Sequence, residues 1–286
     1  MRKNSHHVKR FTRLSANTRG RDIIIGDLHG CLPLLYQRLD ELKFDSSVDR
    51  VLSVGDLVDR GPNSLGALSL LREKWFHSVI SNHESMMLTY FGKRPSLLTR
   101  PYDFVANGGH WVESIDRESS QYSDLQSLLD LVLDLPMALV VHGGDGIAPY
   151  NVVHGDLRRL NYSQFELEQG YPIDLDVVED VTWSRSIRSA KGFRKDEPLY
   201  TPDTPVLISD DAVCRSLNLT YVGHTVLVKM ALHMSHVYLD RGAFLSLKDP
   251  AKYKLQAVEH DRFCRFLDSS GVPVKDFGSQ PATADA

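Results

Sequence analysis

The chain has 286 residues, 42% of them apolar and 24% charged, with a formal net charge of −4 at pH 7. That balance is ordinary for a globular protein at the upper edge of one domain, gives no reason for nucleic acid as the main partner, and includes no apolar run near the roughly 18 residues of a membrane span. The three cysteines, Cys31, Cys214 and Cys264, fit neither a disulfide framework nor a paired-cysteine zinc site, and point to a reducing, cytoplasmic compartment.

Residues 1–20 carry Arg2, Lys3, Lys9, Arg10, Arg13 and Arg19 and no acid. They lack the apolar core of a secretory signal, and the composition predicts a basic, solvated arm. Three short segments then follow three short β-branched or apolar runs: Gly26-Asp27-Leu28-His29-Gly30 after Ile23-Ile24-Ile25, the run Gly55 to Gly61 after Val51-Leu52-Ser53-Val54, and Ser81-Asn82-His83-Glu84 after Val79-Ile80. They recur about 30 residues apart, the length of a strand–helix–strand unit. Three parallel strands would thus deliver Asp27, His29, Asp56 and Asn82 to one sheet edge, outside the carboxyl ends of the strands where α/β folds place their sites.

Between the motifs, Leu32, Leu35, Leu39 and Leu42 predict an amphipathic helix with Pro33 in its first turn, and residues 63–71 predict a second, packing Leu65, Leu68 and Leu71. Residues 85–135 read as mostly helical, with an apolar stripe Leu125, Leu128, Leu129, Val132 and Leu135. Residues 138–141 and 151–153 predict a hairpin around 142–149. From Leu219 onward the pattern is of short strands: 221–222, 229–232, 237–239, 243–247 and 254–258. Helix–strand alternation early and successive strands late predict an α/β fold of two packed mixed β-sheets, a β-sandwich, flanked by helices. The Gly-, Pro-, Ser- and Ala-rich stretch 269–286 reads as a disordered tail. The globular domain is then 21–268.

Two further histidines stand at strand ends. His154 follows Val152-Val153, and His224 follows Tyr221-Val222-Gly223. With Asp27, His29, Asp56 and Asn82 they could complete six ligands for two metals. Asp56 is the natural bridge, since a carboxylate can hold one ion with each oxygen; two divalent ions about 3.5–4 Å apart would share a water that becomes the nucleophile. Mixed Asp, His and Asn ligation suits manganese, with iron or zinc as options, rather than a soft thiolate site. Asp59 and His83 remain, the pairing of a general acid with the carboxylate that orients it. Arg60 is placed to bind phosphate oxygens as a planar donor. His142 sits in the turn-like run Gly143-Gly144-Asp145-Gly146 and is read as structural, and Cys31 as a small apolar filler.

Taken in order, Gly26-Asp27-Leu28-His29-Gly30, the run Gly55 to Gly61, Asn82-His83-Glu84, His154 and Gly223-His224-Thr225 resemble the calcineurin-like metallophosphoesterases, and within them the lambda-phage and bacterial serine/threonine protein phosphatases. Further matching pieces are Asn107-Gly108-Gly109-His110-Trp111, Trp183-Ser184-Arg185-Ser186-Ile187 and Tyr238-Leu239-Asp240-Arg241-Gly242-Ala243. The resemblance implies the metallophosphoesterase fold. It implies that Asp27 and His29 hold one metal and Asn82, His154 and His224 the other, with Asp56 bridging. It makes His83 the proton donor to the leaving alkoxide with Asp59 behind it, and Arg60 and Arg185 a clamp on the phosphoryl oxygens; Arg185 rests on the resemblance alone. Three departures stand out. Ser81 replaces the usual Gly, Arg241 replaces the usual Thr near the site, and residues 189–205 do not align.

The expected activity is a two-metal phosphomonoesterase acting on phosphoserine and phosphothreonine in proteins or peptides, with phosphotyrosine and small phosphomonoesters in vitro as further substrates. The rival enzyme is a dinucleoside polyphosphate (diadenosine tetraphosphate) hydrolase, in which Glu84 is typically Asp; the extra charge of Arg241 leans toward it. A non-catalytic phosphoprotein-binding pseudophosphatase would have lost a ligand or the acid, and every expected position is filled.

Overall fold

The computed structural model describes residues 7–95, 99–157, 163–168 and 173–279. In chain order, β1 (His7–Val8) and β2 (Phe11–Leu14) precede β3 (Asp22–Ile25), α1 (Leu32–Glu41), β4 (Arg50–Ser53), α2 (Ser64–Ser69), β5 (Phe76–Ser78) and α3 (Asn82–Tyr90). Helices α4 (Pro101–Ala106) and α5 (Ser120–Leu133) lead into the antiparallel hairpin β6 (Ala138–Val141) and β7 (Tyr150–Val153). Then come α6 (Gln164–Leu167), β8 (Ile173–Asp174), α7 (Leu175–Thr182), β9 (Leu199–Thr201), β10 (Thr204–Ile208), β11 (Leu219–Val222), β12 (Met230–His233), β13 (His236–Tyr238), β14 (Ala257–Glu259) and α8 (His260–Ser269).

Two mixed sheets form a sandwich, one of four strands in the order β14-β3-β4-β5 and one of eight in the order β2-β6-β7-β11-β13-β12-β10-β9. Strands β3, β4 and β5 are parallel, as the three spaced motifs predict, and so are β7, β11 and β13. Alternation along a strand explains the layering. Ile24 and its register partner Leu52 face the interior, packed with Val152, Tyr221 and Leu232 of the larger sheet. Ile23, Ile25 and Val51 face the other way, onto Leu32, Leu35 and Leu39 of α1. Each of these strands is therefore buried on both faces, which is why their sequences are runs rather than alternations. The stripe on α5 covers the outer face of the larger sheet beside α3 and α7.

Three expectations are corrected. The N-terminal basic residues are not a loose arm over 7–14: β2 pairs in parallel with β6, and Val8 is 1% exposed. Charge dominated that reading, while Val8, Phe11 and Leu14 supply enough apolar surface to close a sheet edge, with Arg13 turned to Glu168 at 3.3 Å; residues 1–6 lie outside the described residues. Residues 269–279 are not a disordered tail, since Val272 and Phe277 pack into the sandwich core; residues 280–286 lie outside the described residues. Residues 243–247 form a 3-10 turn rather than a strand, begun by Gly242 at φ 70°. The unaligned stretch 189–205 contains β9 and the first residues of β10.

The buried place of Phe277 predicts that Phe277→Ala destabilises the protein by about 3 kcal/mol, the low end of aromatic truncations in cores. Urea denaturation of the two proteins measures it, and a change near zero would restore the view of a solvated tail.

Candidate metal centre

All six expected ligands follow strands that end at one edge of the sandwich. Asp27 and His29 come after β3, Asp56 after β4, Asn82 after β5, His154 directly after β7 and His224 after β11. Every one of them is at most 4% exposed. The backbone reaches these positions through unusual conformations. Among the described residues nine non-glycine residues have positive φ, and His29, Asp56, Asp59, Arg60 and His224 are five of them. Such conformations cost on the order of 1 kcal/mol or more each and persist only where surroundings impose them.

Those surroundings can be named. Glu84, fully buried on α3, accepts the amides of Asp56, Leu57 and Val58 at 3.1, 2.9 and 3.3 Å. The Asp56 carbonyl in turn accepts the amides of Leu28 and His29 at 3.1 and 2.7 Å, and the Leu57 carbonyl accepts that of Gly30 at 2.7 Å. One turn hangs on Glu84, and the next hangs on that turn. Ser81 completes the arrangement. Its hydroxyl donates to Glu84 and accepts the amides of His83 and Glu84 at 3.1 and 3.2 Å, capping α3. Its φ of −115° is ordinary for an L-residue, so the replacement of Gly by Ser costs no backbone strain here. At Gly223 the chain has no such latitude, because a Cβ would lie 1.9 Å from Asp27 Oδ1.

The side chains converge on Asp56. His29 Nε2 and His154 Nε2 lie 3.4 Å from its two oxygens, and His83 Nε2 lies 4.0 Å away. His29 Nδ1 donates to the Val58 carbonyl and His154 Nδ1 to the Val54 carbonyl, both at 2.8 Å, so each ring turns its Nε2 lone pair inward. His154 Nε2 meets Asn82 Oδ1 at 2.7 Å. Asp27 accepts the His224 amide at 3.0 Å. His83 Nδ1 donates to Asp59 Oδ2 at 2.6 Å, and the Trp111 indole donates to Asp59 Oδ1 at 2.9 Å. Arg60 Nη1 donates to His29 Nε2 at 2.7 Å, and its guanidinium lies over the Phe244 ring, 4.9 Å from the centroid. Arg185 donates to the His224 carbonyl at 2.9 Å.

The electrostatics are those of a cation site. Burial works to raise the Asp56 carboxyl, but the imidazoles of His154, His83, His29 and His224 hold it well below the usual carboxylate range. Burial, reinforced by Asp240 and Asp56, pushes Asp27 well above that range. Burial lowers His29 to about 3 and His224 to about 2, keeping both rings neutral and able to ligate. His83 goes the other way: burial lowers it, but Asp56 and Asp59 outweigh that and raise it. Asp56 Oδ1, His83 Nε2 and His224 Nε2 are buried without hydrogen-bond partners. Two groups, His29-Asp56-His83 and Asp56-His154-His224, bring ligand-capable atoms within 4.8 Å of one another and share Asp56. The residues fit divalent ions: orphaned lone pairs face one another across Asp56, and the donors are oxygen and nitrogen only.

Four residues with supporting positions were not given roles by sequence reasoning. Trp111 lay in a recognised piece but had no assigned partner. Asp156 accepts from the Ser184 and Ser186 hydroxyls and the Ser186 amide at 2.7–2.9 Å, and so holds the turn that carries Arg185. Asp240 stands beside Asp27, and burial raises it to about 6. Phe244 packs on His29 at 5.0 Å and beneath Arg60, in the segment read as a strand. Arg241 does not face the centre: it is buried elsewhere, bonded to the Val228 carbonyl and Gln256. Cys31 is a packed thiol pushed up to about 11 by burial, as expected of a filler. His142 stays outside the site, half exposed, with Glu168 4.0 Å away.

A two-sheet sandwich with paired Asp/His ligand groups at its strand ends defines a metallophosphoesterase, a hydrolase of phosphoesters that uses divalent metal. The calcineurin-like phosphoesterase family matches residues 21–227, and the chain belongs to it. Serine/threonine-protein phosphatase 1 of Salmonella typhimurium is 39% identical over 162 residues, 57% of this chain and 67% of that protein. Serine/threonine-protein phosphatase 2 of the same organism is 29% identical over 223 residues, 78% of this chain and 88% of that protein. Among solved structures, a provisionally assigned diadenosine tetraphosphatase superposes with a TM-score of 0.52 at 18% identity, covering 88% of this chain and 98% of its own. That likeness is one of fold.

The bond network around Ser81 predicts that Ser81→Ala lowers stability by about 1–3 kcal/mol, through loss of the cap and of a buried partner for Glu84. Chemical denaturation of the variant measures it; an unchanged midpoint would mean the hydroxyl holds nothing.

Proposed function

We propose that this chain is a two-metal phosphomonoesterase of phosphoserine and phosphothreonine in proteins, working with manganese. The observation that carries this reading is the sharing of Asp56 between two ligand groups, with a protonatable His83–Asp59 pair beside it. Asp27, His29 and Asp56 would hold one ion, and Asp56, Asn82, His154 and His224 the other. Bound there, two divalent ions supply charge neutralisation and lower the pKa of water. The Arg60 guanidinium, stacked on Phe244, would bind a phosphoryl oxygen. Arg185, bonded to the His224 carbonyl, would bind another. His83 keeps its Nδ1 proton on Asp59 and presents Nε2 to the leaving alkoxide. The free, unpaired cysteines suit a reducing, cytoplasmic compartment.

The dinucleoside polyphosphate hydrolase shares this fold, so the fold does not separate the two. Two observations favour the monoesterase. The Phe244 ring has a face taken by the Arg60 guanidinium rather than open to a base. Arg241 turns away from the centre and adds no charge there for a longer polyphosphate. Glu84 no longer counts as a substrate signal, since it binds backbone amides.

His83 is itself a member of the first ligand-capable group, so its role needs a test that counts metal. His83→Asn is expected to retain both ions by elemental analysis and to lose on the order of 10²–10⁴ in kcat on alkyl phosphates, less on aryl phosphates. Asp59, bonded to Nδ1, favours the protonated His83 ring, and that proton is lost as pH rises. The alkaline limb of the wild-type profile should be absent in the variant. Loss of an ion in His83→Asn would make it a ligand instead.

For substrate class, kcat/KM on a phosphoserine peptide is expected to exceed that on diadenosine tetraphosphate at one manganese concentration. Chelation should abolish both activities and manganese should restore them. A clear preference for the dinucleotide would move the chain to the other class.

A further inference from the structure

A cavity of about 470 Å³ lies behind the metal centre, between α1 and residues 241–255, with Asp203 of the β9–β10 turn at its edge. Its walls carry three cations, Arg38, Arg241 and Lys254, and one acid, Asp203, which is paired to Lys254. Arg241 is 6% exposed. Its Nε donates to the Val228 carbonyl at 3.0 Å and its Nη1 to Gln256 Oε1 at 3.3 Å, both neutral acceptors. Among the described residues no carboxylate lies in ion-pair contact with it, and burial lowers its guanidinium. A buried arginine without a counter-ion is costly, since desolvation of the charge is not recovered. Arg38 pairs through Nη1 with Glu41 at the rim, yet its Nε is buried and has no partner. Two guanidiniums thus line one cavity, Arg241 bonded only to neutral acceptors and Arg38 paired only at the rim. The rest of the wall includes Leu34, Leu255 and the exposed Leu247.

We propose that this cavity is a binding site for an organic anion, a carboxylate, sulfonate or phosphate on an apolar stem, with the anionic group between Arg241 and Arg38 and the stem against the leucines. The cavity backs onto the metal centre through residues 240–247. Asp240 stands beside Asp27, and Phe244 packs on His29 and Arg60, while Arg241, Ser246 and Leu247 line the cavity. The anion has two sources, a free small molecule or an acidic side chain of a bound peptide.

Benzenesulfonate is a suitable probe, a monoanion on an apolar ring and a poor ligand for hard divalent ions. Titrated into the metal-loaded protein by calorimetry, it should bind saturably. Arg38→Gln should weaken binding by about tenfold, the worth of one charge-assisted hydrogen bond, and Arg60→Gln should leave it unchanged. Arg241→Gln should weaken it further, and since its burial puts folding at risk, the partly exposed Arg38 carries the decision. Absence of saturable binding, or binding lost in Arg60→Gln and kept in Arg38→Gln, overturns the proposal. The binding result does not depend on the function proposed above; the assignment of source does. If the anion is the substrate's own, Arg38→Gln raises KM for a phosphopeptide carrying Glu beside the phosphoserine and not for its Gln counterpart, with kcat unchanged. If it is a free molecule, both peptides keep their KM while benzenesulfonate binding is still lost.

Discussion

The fully buried Glu84 carboxylate is the interaction on which the centre depends. It binds three consecutive amides of the turn that follows β4. Those amides point into the protein where neither sheet nor water could satisfy them, and an unpaired buried amide costs as much as a lost hydrogen bond. Glu84 satisfies them with one group and thereby fixes Asp56 at φ 49°. The β3 turn then bonds to the β4 turn, so Asp27 and His29 inherit their places from Asp56. The carboxylate itself is strained: burial and the charge of Asp56 raise it to about 7. Ser81 and the three amides are the groups that keep it there. The backbone strain of the ligand turns and the buried charge of Glu84 are two faces of one construction, in which α3 holds the site from below while its first residues, Asn82 and His83, contribute to it from above.

Asp56 shows the second constraint. A carboxylate at 2% exposure is unfavourable unless cations or donors surround it. Here the imidazoles of His29 and His154 commit Nδ1 to backbone carbonyls and aim inner Nε2 lone pairs at the carboxylate, which supplies neither. His154 Nε2 facing Asn82 Oδ1 is a meeting of two acceptors unless the amide is turned. An arrangement of acceptors with buried, unpartnered members is poor for the protein alone and good with cations between them. That is the physical sense in which the donor set calls for divalent ions.

What was legible in the sequence was local. A residue at the end of a strand sits a fixed distance after an apolar run, so the convergence of Asp27, His29, Asp56, Asn82, His154 and His224 at one sheet edge could be read from their own neighbours. The parallel order of β3, β4 and β5 followed from spacing, and α1 and α5 from periodicity. The illegible parts depend on partners distant in the chain. Trp111 matters because it meets Asp59, 52 residues away; Asp156 matters because it holds residues 184–186. Phe244 was assigned to a strand because apolar runs of that length do not distinguish strands from 3-10 turns, and Gly242 in the left-handed region breaks the extension. The two termini were misread for a different reason. Composition weighs charge and flexibility across a window, whereas Val8 and Phe277 each enter the core as single side chains.

Two of the three departures from the family pattern, Ser81 and Arg241, acquire opposite meanings once placed. Ser81 is absorbed into the centre's support, because its conformation needs no glycine and its hydroxyl meets both the helix amides and Glu84. Arg241 is directed away from the centre although Asp240 next to it stands beside Asp27. Residues adjacent in an extended chain point to opposite sides, so the loop after β13 presents a carboxylate to the metal side and a guanidinium to the cavity behind. A positive charge introduced at position 241 therefore cannot act on the phosphoryl group by direct contact. Residues 240–247 join its position to the candidate centre, and within them Phe244 stacks on Arg60. This makes the 3-10 turn the structural link between the cavity and the candidate metal centre.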